Sequence, residues 1–195
     1  MKLLLSAVAL CCTLALAACF PPATLHPIGG TQTADPLLTG DWHAKMAESD
    51  PGQDEANFHF KRQADGSITL EIDAANKKDM DRMTVALTTA QVGANRFANA
   101  KLVDAGPGDD TDKGPQRGTM AFLYRQEGAT VVIYQMDEDA TKAAIKAGKI
   151  QGEVEPGQFG DAIITADPAA LNAFVASPQG VALFSEKFAT LTKTN

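Results

Sequence analysis

The chain has 195 residues, of which 45% are hydrophobic and 21% charged, and its formal net charge is −7. That length suits one domain, or one domain with a tail, and the composition is that of a folded protein rather than a disordered one. The acidic balance offers no basic track along which phosphate pairing could release counterions, so no nucleic-acid partner is expected.

The three cysteines stand at 11, 12 and 19, all at the N-terminus. Met1-Lys2 supplies a short positive start and Leu3 to Leu16 an apolar run of fourteen residues. A spanning helix needs about 20 apolar residues, so the run fits the core of a secretory signal peptide instead. It ends in Leu16-Ala17-Ala18-Cys19. This motif resembles the lipobox of bacterial lipoproteins. The resemblance implies cleavage before Cys19, a thioether-linked diacylglycerol on its sulfur and an acyl chain on the new amino group. Residues 1–18 would then be a discarded signal peptide, and Cys11 and Cys12 would leave with it. The membrane becomes a partner through the anchor at Cys19, and the folded part works without disulfide, thiol nucleophile or thiolate metal site. In proteins of this kind, aspartate after the cysteine favours retention at the inner membrane. Phe20 stands there instead, which points to the outer membrane and a periplasm-facing domain.

Residues 19–38 hold Pro21, Pro22, Pro27 and Pro36 together with Gly29-Gly30. No strand or helix period survives such punctuation, and the stretch reads as a lipidated cysteine with a flexible tether. A single domain is expected over 39–195. Gly40-Asp41-Trp42 opens its first strand, with the chain's one tryptophan. Phe58 and Phe60, then Ile68, Leu70 and Ile72, alternate with polar residues on either side of Asp65-Gly66, a hairpin signal. Residues 75–82 read as a charged turn or short helix. Met83–Thr89 and Arg96–Val103 form a second pair around Gly93, and the Gly/Pro-rich stretch 104–118 is a loop. Thr119–Gln126 and Ala129–Met136 form a third hairpin around Glu127-Gly128. Val131 to Tyr134 is apolar on both faces, as in a strand covered from both sides.

Asp137 has the place of an N-cap, followed by Glu138 and Asp139 at the positive end of a helix that Gly148 ends. Ile150–Val154 and Ala162–Thr165 read as strands. Asp167-Pro168 starts a second helix running to about Ala176, Ser177-Pro178 a short third, and Phe188–Leu191 a closing strand. The sum is an α+β fold: an antiparallel β-sheet or barrel of about seven to nine strands, with two or three helices in the C-terminal half. Gly40-Asp41-Trp42 resembles the Gly-x-Trp of lipocalins, in which the tryptophan plugs one end of a barrel. That resemblance implies a carrier of an apolar small molecule, although the late helices depart from the family's pattern.

No nucleophile elbow, phosphate loop, dinucleotide fingerprint or zinc-protease motif occurs, and no catalytic residue, cofactor or metal site is assigned. His43 and His59 should both point away from the apolar side of their strands, where Asp41 could join them. A zinc or copper site there would still want a further ligand. His26 falls in the tether. Asp109, Asp110 and Asp112 match no register of a calcium loop, because glycine and glutamate do not fall at the required positions. The chain is therefore expected to be a lipid-anchored, non-catalytic binding or interaction module, with a protein partner or an apolar ligand. A lipocalin-like carrier of an apolar small molecule is the alternative, and after it a periplasmic hydrolase built on carboxylates or on His43.

Overall fold

The computed structural model describes residues 21–29, 34–47, 54–74, 83–104, 118–154 and 162–194. Eight antiparallel strands close into a barrel. Seven of them follow one another along the chain: β2 (Gly40–Met46), β3 (Glu55–Arg62), β4 (Ile68–Ala74), β5 (Met83–Val92), β6 (Asn95–Asp104), β7 (Thr119–Glu127) and β8 (Thr130–Gln135), each paired with the next. The eighth is β11 (Glu186–Lys193), which pairs with β8 on one side and β2 on the other, setting Leu191 opposite both Val131 and Ala44. A closed ring leaves none of these eight as a free edge.

The period-2 pattern sets the two faces of the wall. Trp42 and Ala44, Phe58 and Phe60, and Ile68 and Leu70 turn inward and are buried. The residues between them, Asp41, His43, Asn57 and His59, face out. A register shift between Lys187 and Ala189 breaks the alternation in β11, and the extra residue, Phe188, packs against Phe122 with ring centroids 5.2 Å apart.

The poles differ. At one pole the connections are tight turns at Asp65-Gly66, Gly93 and Gly128. Gly66 has φ of 87°, and Asp65 accepts both the amide and the hydroxyl of Ser67 at 2.9 and 2.6 Å. Those two bonds hold the Asp65 carboxyl below its ordinary pKa. At the other pole the chain leaves the strands through 47–54, 75–82 and 105–118, and between β8 and β11 through all the helices.

These helices lie outside the barrel as a second layer. α1 (Glu138–Lys146) is capped by Asp137, which accepts the amide of Ala140 at 2.7 Å. β9 (Gly152–Val154) and β10 (Ala162–Ile164) follow, then α2 (Pro168–Ala176), capped by Asp167, and the short α3 (Pro178–Val181), capped by Ser177. A second core forms between this layer and the outer face of β6 and β7: Phe97, Leu123, Met136, Ile164, Leu171 and Phe184 are all buried there. Phe97 and Phe184 meet edge to face at 5.3 Å. This explains why β6 and β7 carry apolar side chains on both faces.

One expectation is corrected. Residues 21–29 and 34–38, read as tether, belong to the packed structure. β1 (Ala23–Thr24) pairs antiparallel with β7 and parallel with β10, continuing the sheet beyond the last residue of β8. Pro22, Ala23, Thr24 and Ile28 are buried. Asn99 accepts the Ile28 amide at 2.8 Å and donates to its carbonyl at 3.0 Å, and Asn172 accepts the Gly29 amide at 2.8 Å. Proline and glycine exclude a regular period here, but they do not prevent burial against partners that sit far along the chain. Residues 1–20, the stretch 75–82 expected to be a turn or short helix, and the aspartates at 109, 110 and 112 lie outside the described residues.

Candidate functional site: the barrel lumen

Eight strands enclose an interior that side chains can fill, or that can hold one small ligand. Here it is partly filled. A cavity of about 230 Å³ remains, larger than the order of 150 Å³ that suffices to hold a benzene ring in a dry apolar void. Its walls are Phe58, Phe60 and Leu70 on one side and Ala98, Ala100 and Met120 on the other. The two alanines of β6 create much of the room, since each presents only a methyl group where its neighbours present rings or branched chains.

The pole with tight turns is sealed. The segment 34–38 crosses it, with Ala34 and Leu38 buried in the lumen. Asp35 fixes that segment: its amide donates to Thr89 at 2.9 Å and its carboxylate accepts the Tyr124 hydroxyl at 2.9 Å, with Arg96 Nε at 3.4 Å. Burial, and then the bond to Asp35, push the Tyr124 phenol well above its ordinary pKa of 10.0. It therefore stands at the cavity floor as a neutral donor already committed to Asp35.

Trp42 sits near the same pole, 4% exposed. Its Nε1 donates to the Thr39 carbonyl at 3.1 Å, and Lys193 Nζ lies 5.5 Å from its ring. The position is compatible with what Gly40-Asp41-Trp42 implies, a tryptophan at the closed end of a barrel. Toward the other pole the lining consists of Ile72, Met83, Phe122, Phe188, Pro21 and Gln135. Gln135 is the polar side chain of that rim and donates to Glu186 at 3.0 Å.

Among the described residues the lining is apolar apart from the Tyr124 hydroxyl and the Gln135 amide. Such a surface can desolvate an apolar chain. Residue sizes meeting across the lumen defined this site, and no local motif marks it.

The histidines stand elsewhere, on the outer wall. His59 lies between two carboxylates, with Nδ1 2.7 Å from Asp41 and Nε2 3.3 Å from Asp73. His43 Nε2 is 3.8 Å from Glu55. The outward orientation follows the alternation, and Asp41 does reach a histidine. The two rings instead engage different carboxylates, and among the described residues no group of three or more His, Cys, Asp or Glu could hold a metal ion. His26 is in the segment that wraps the barrel.

Cys19 is outside the described residues, two positions before the lumen-lining Pro21. Among the described residues no helix is long and apolar enough to cross a membrane. No family model, curated protein or solved structure matches the chain.

Proposed function

We propose that this chain is a cell-envelope lipoprotein, anchored through Cys19 at the outer membrane and facing the periplasm, whose barrel binds an apolar small molecule in its lumen without transforming it. The observation that carries the binding reading is the cavity of about 230 Å³, apolar along its walls and sealed at one pole by Asp35 and Tyr124. The anchor rests on Leu16-Ala17-Ala18-Cys19.

An apolar lumen favours carriage over a purely structural or protein-docking role. Desolvating a chain inside it gains about 0.8 kcal/mol per buried CH₂, whereas a filled barrel would offer that gain to its own side chains. The test is native mass spectrometry of the protein purified from its own host, followed by titration with a fluorescent fatty acid. One apolar adduct per barrel, displaced by the fatty acid, is expected. A clean apo mass with no saturable uptake would sink the reading.

A further inference from the structure

We infer that the mouth of the barrel is held against the membrane and that the lumen draws its ligand, a single acyl chain of a membrane lipid, directly from the bilayer. This rests on the apolar-lumen reading and deepens it.

The first observation is where the chain enters the fold. Pro21 lines the cavity and Cys19 precedes it by two residues, a span of at most about 7 Å even when fully extended. No slack follows to lengthen it, because Pro22, Ala23 and Thr24 are buried and β1 is paired on both sides, with β7 and β10. A lipidated Cys19 therefore sets the rim at the membrane surface.

The second observation is independent of the anchor. Among the described residues the exposed large hydrophobics are Leu25, Met83 and Val103, at 37%, 38% and 57% exposure. All three belong to the pole away from the tight turns. Met83 begins β5, Val103 comes one residue before the end of β6, and Leu25 follows the residue that pairs with Thr119, the first of β7. Met83 also lines the cavity, so the exposed apolar rim runs into the lumen. Apolar side chains gathered at one end are what a surface resting on lipid requires.

The third is the cavity's size and chemistry. About 230 Å³, against the order of 150 Å³ that holds one benzene ring, has room for part of one slender chain and not for two, and among the described residues Gln135 is a polar side chain of the lining at the end where a headgroup would remain.

The experiment uses the mature lipidated protein in vesicles of phosphatidylethanolamine and phosphatidylglycerol. Bimane is attached at Met83→Cys on the rim or at Glu127→Cys in the opposite turn, and the vesicles carry a nitroxide-headgroup lipid. Emission should be lost at 83 and retained at 127. Equal quenching at the two sites, or protein that does not stay on the vesicles, overturns the orientation.

The source of the ligand is read separately. An insert of about twelve Gly and Ser residues between Phe20 and Pro21 adds roughly 20 Å of root-mean-square length. Wild type should load a pyrene-labelled lysophospholipid from the vesicles several-fold faster than the insert variant, and both should bind it equally from solution. Equal loading from vesicles overturns direct transfer while leaving the apolar-lumen reading intact. No binding from solution by either protein overturns both.

Discussion

The Tyr124 hydroxyl donates to the Asp35 carboxylate at 2.9 Å across 89 positions of sequence, and this bond ties the wall of the barrel to the segment that closes it. Tyr124 lines the cavity, and Asp35 also donates its amide to Thr89 and pairs its carboxylate with Arg96, so one residue joins β5, β6 and β7 to the crossing chain. The floor of the lumen is therefore a polar clasp beneath an apolar cup.

Tyr124→Phe should cost about 2 kcal/mol in urea unfolding, the scale of a hydrogen bond to a charged acceptor. The native phenol titrates above its ordinary 10.0 because of burial first and Asp35 second. A raised folded pKa means that the stabilisation is fully present below pH 10 and is lost as the unfolded phenol ionises above it. Stability should thus fall with rising pH above 10, less steeply in Tyr124→Phe. Because Tyr134 is also shifted upward, by burial and then Glu127, the absorbance titration at 295 nm is best read in Tyr134→Phe. Its remaining native phenol should stay protonated until the barrel unfolds.

Asn99 is 2% exposed and satisfies both backbone groups of Ile28, which is fully buried. Asn99→Ala would orphan an N–H and a C=O together, at about 1–3 kcal/mol each. The expected loss is about 2–5 kcal/mol by urea denaturation, with proteolytic cleavage appearing within 21–29 before the barrel itself unfolds. An Asn99→Ala protein as stable as wild type would show that the N-terminal segment contributes nothing to the fold.

Gly29 tests the same seam from the other side. It has φ of 90° and a Cβ there would lie 2.1 Å from the Cβ of Ala90. Gly29→Ala combines left-handed backbone strain with a wall-to-segment clash, and a loss of about 2–4 kcal/mol is expected from strain and overpacking together. Gly128→Ala is the control, because its φ is 62° but nothing lies within 4 Å of the added methyl. It should show the strain alone.

Local rules made much of this barrel legible in the sequence. Asp65-Gly66 and Glu127-Gly128 marked turns because the turn conformation is decided by the residues within it. Asp137 and Asp167 marked helix starts because a cap and its amides are three residues apart. Closure was not decidable between sheet and barrel, since it depends on β11 finding β2 across the whole domain. The N-terminal segment was misread for the same reason: Ile28 is held by Asn99 and Gly29 by Asn172, 71 and 143 positions away. Alternation placed His59 on the outer wall, but only the strand register could bring Asp41 and Asp73 to its two nitrogens. The lumen was hidden because a void is a sum over facing side chains, and no window of sequence contains that sum.

The lumen itself is tested by filling it. Ala98 and Ala100 are inward, buried and part of its wall, so Ala98→Leu and Ala100→Leu each add a branched side chain to a space of about 230 Å³. The added methylenes gain burial at about 0.8 kcal/mol each, which offsets the strain of placing them, and thermal stability should be retained or raised. Occupancy should not be. A ligand that loses even two methylenes of its buried length forfeits roughly 1.6 kcal/mol, which corresponds to about a tenfold weaker Kd. The double variant should exclude the fluorescent fatty acid altogether. All three variants are read by the same titration and by thermal melting monitored through Trp42, which lies in the lumen cluster but not on the cavity wall. Full affinity in a stable double variant would place the binding site outside the barrel. A protein that melts early and still binds would show that the wall yields to the ligand.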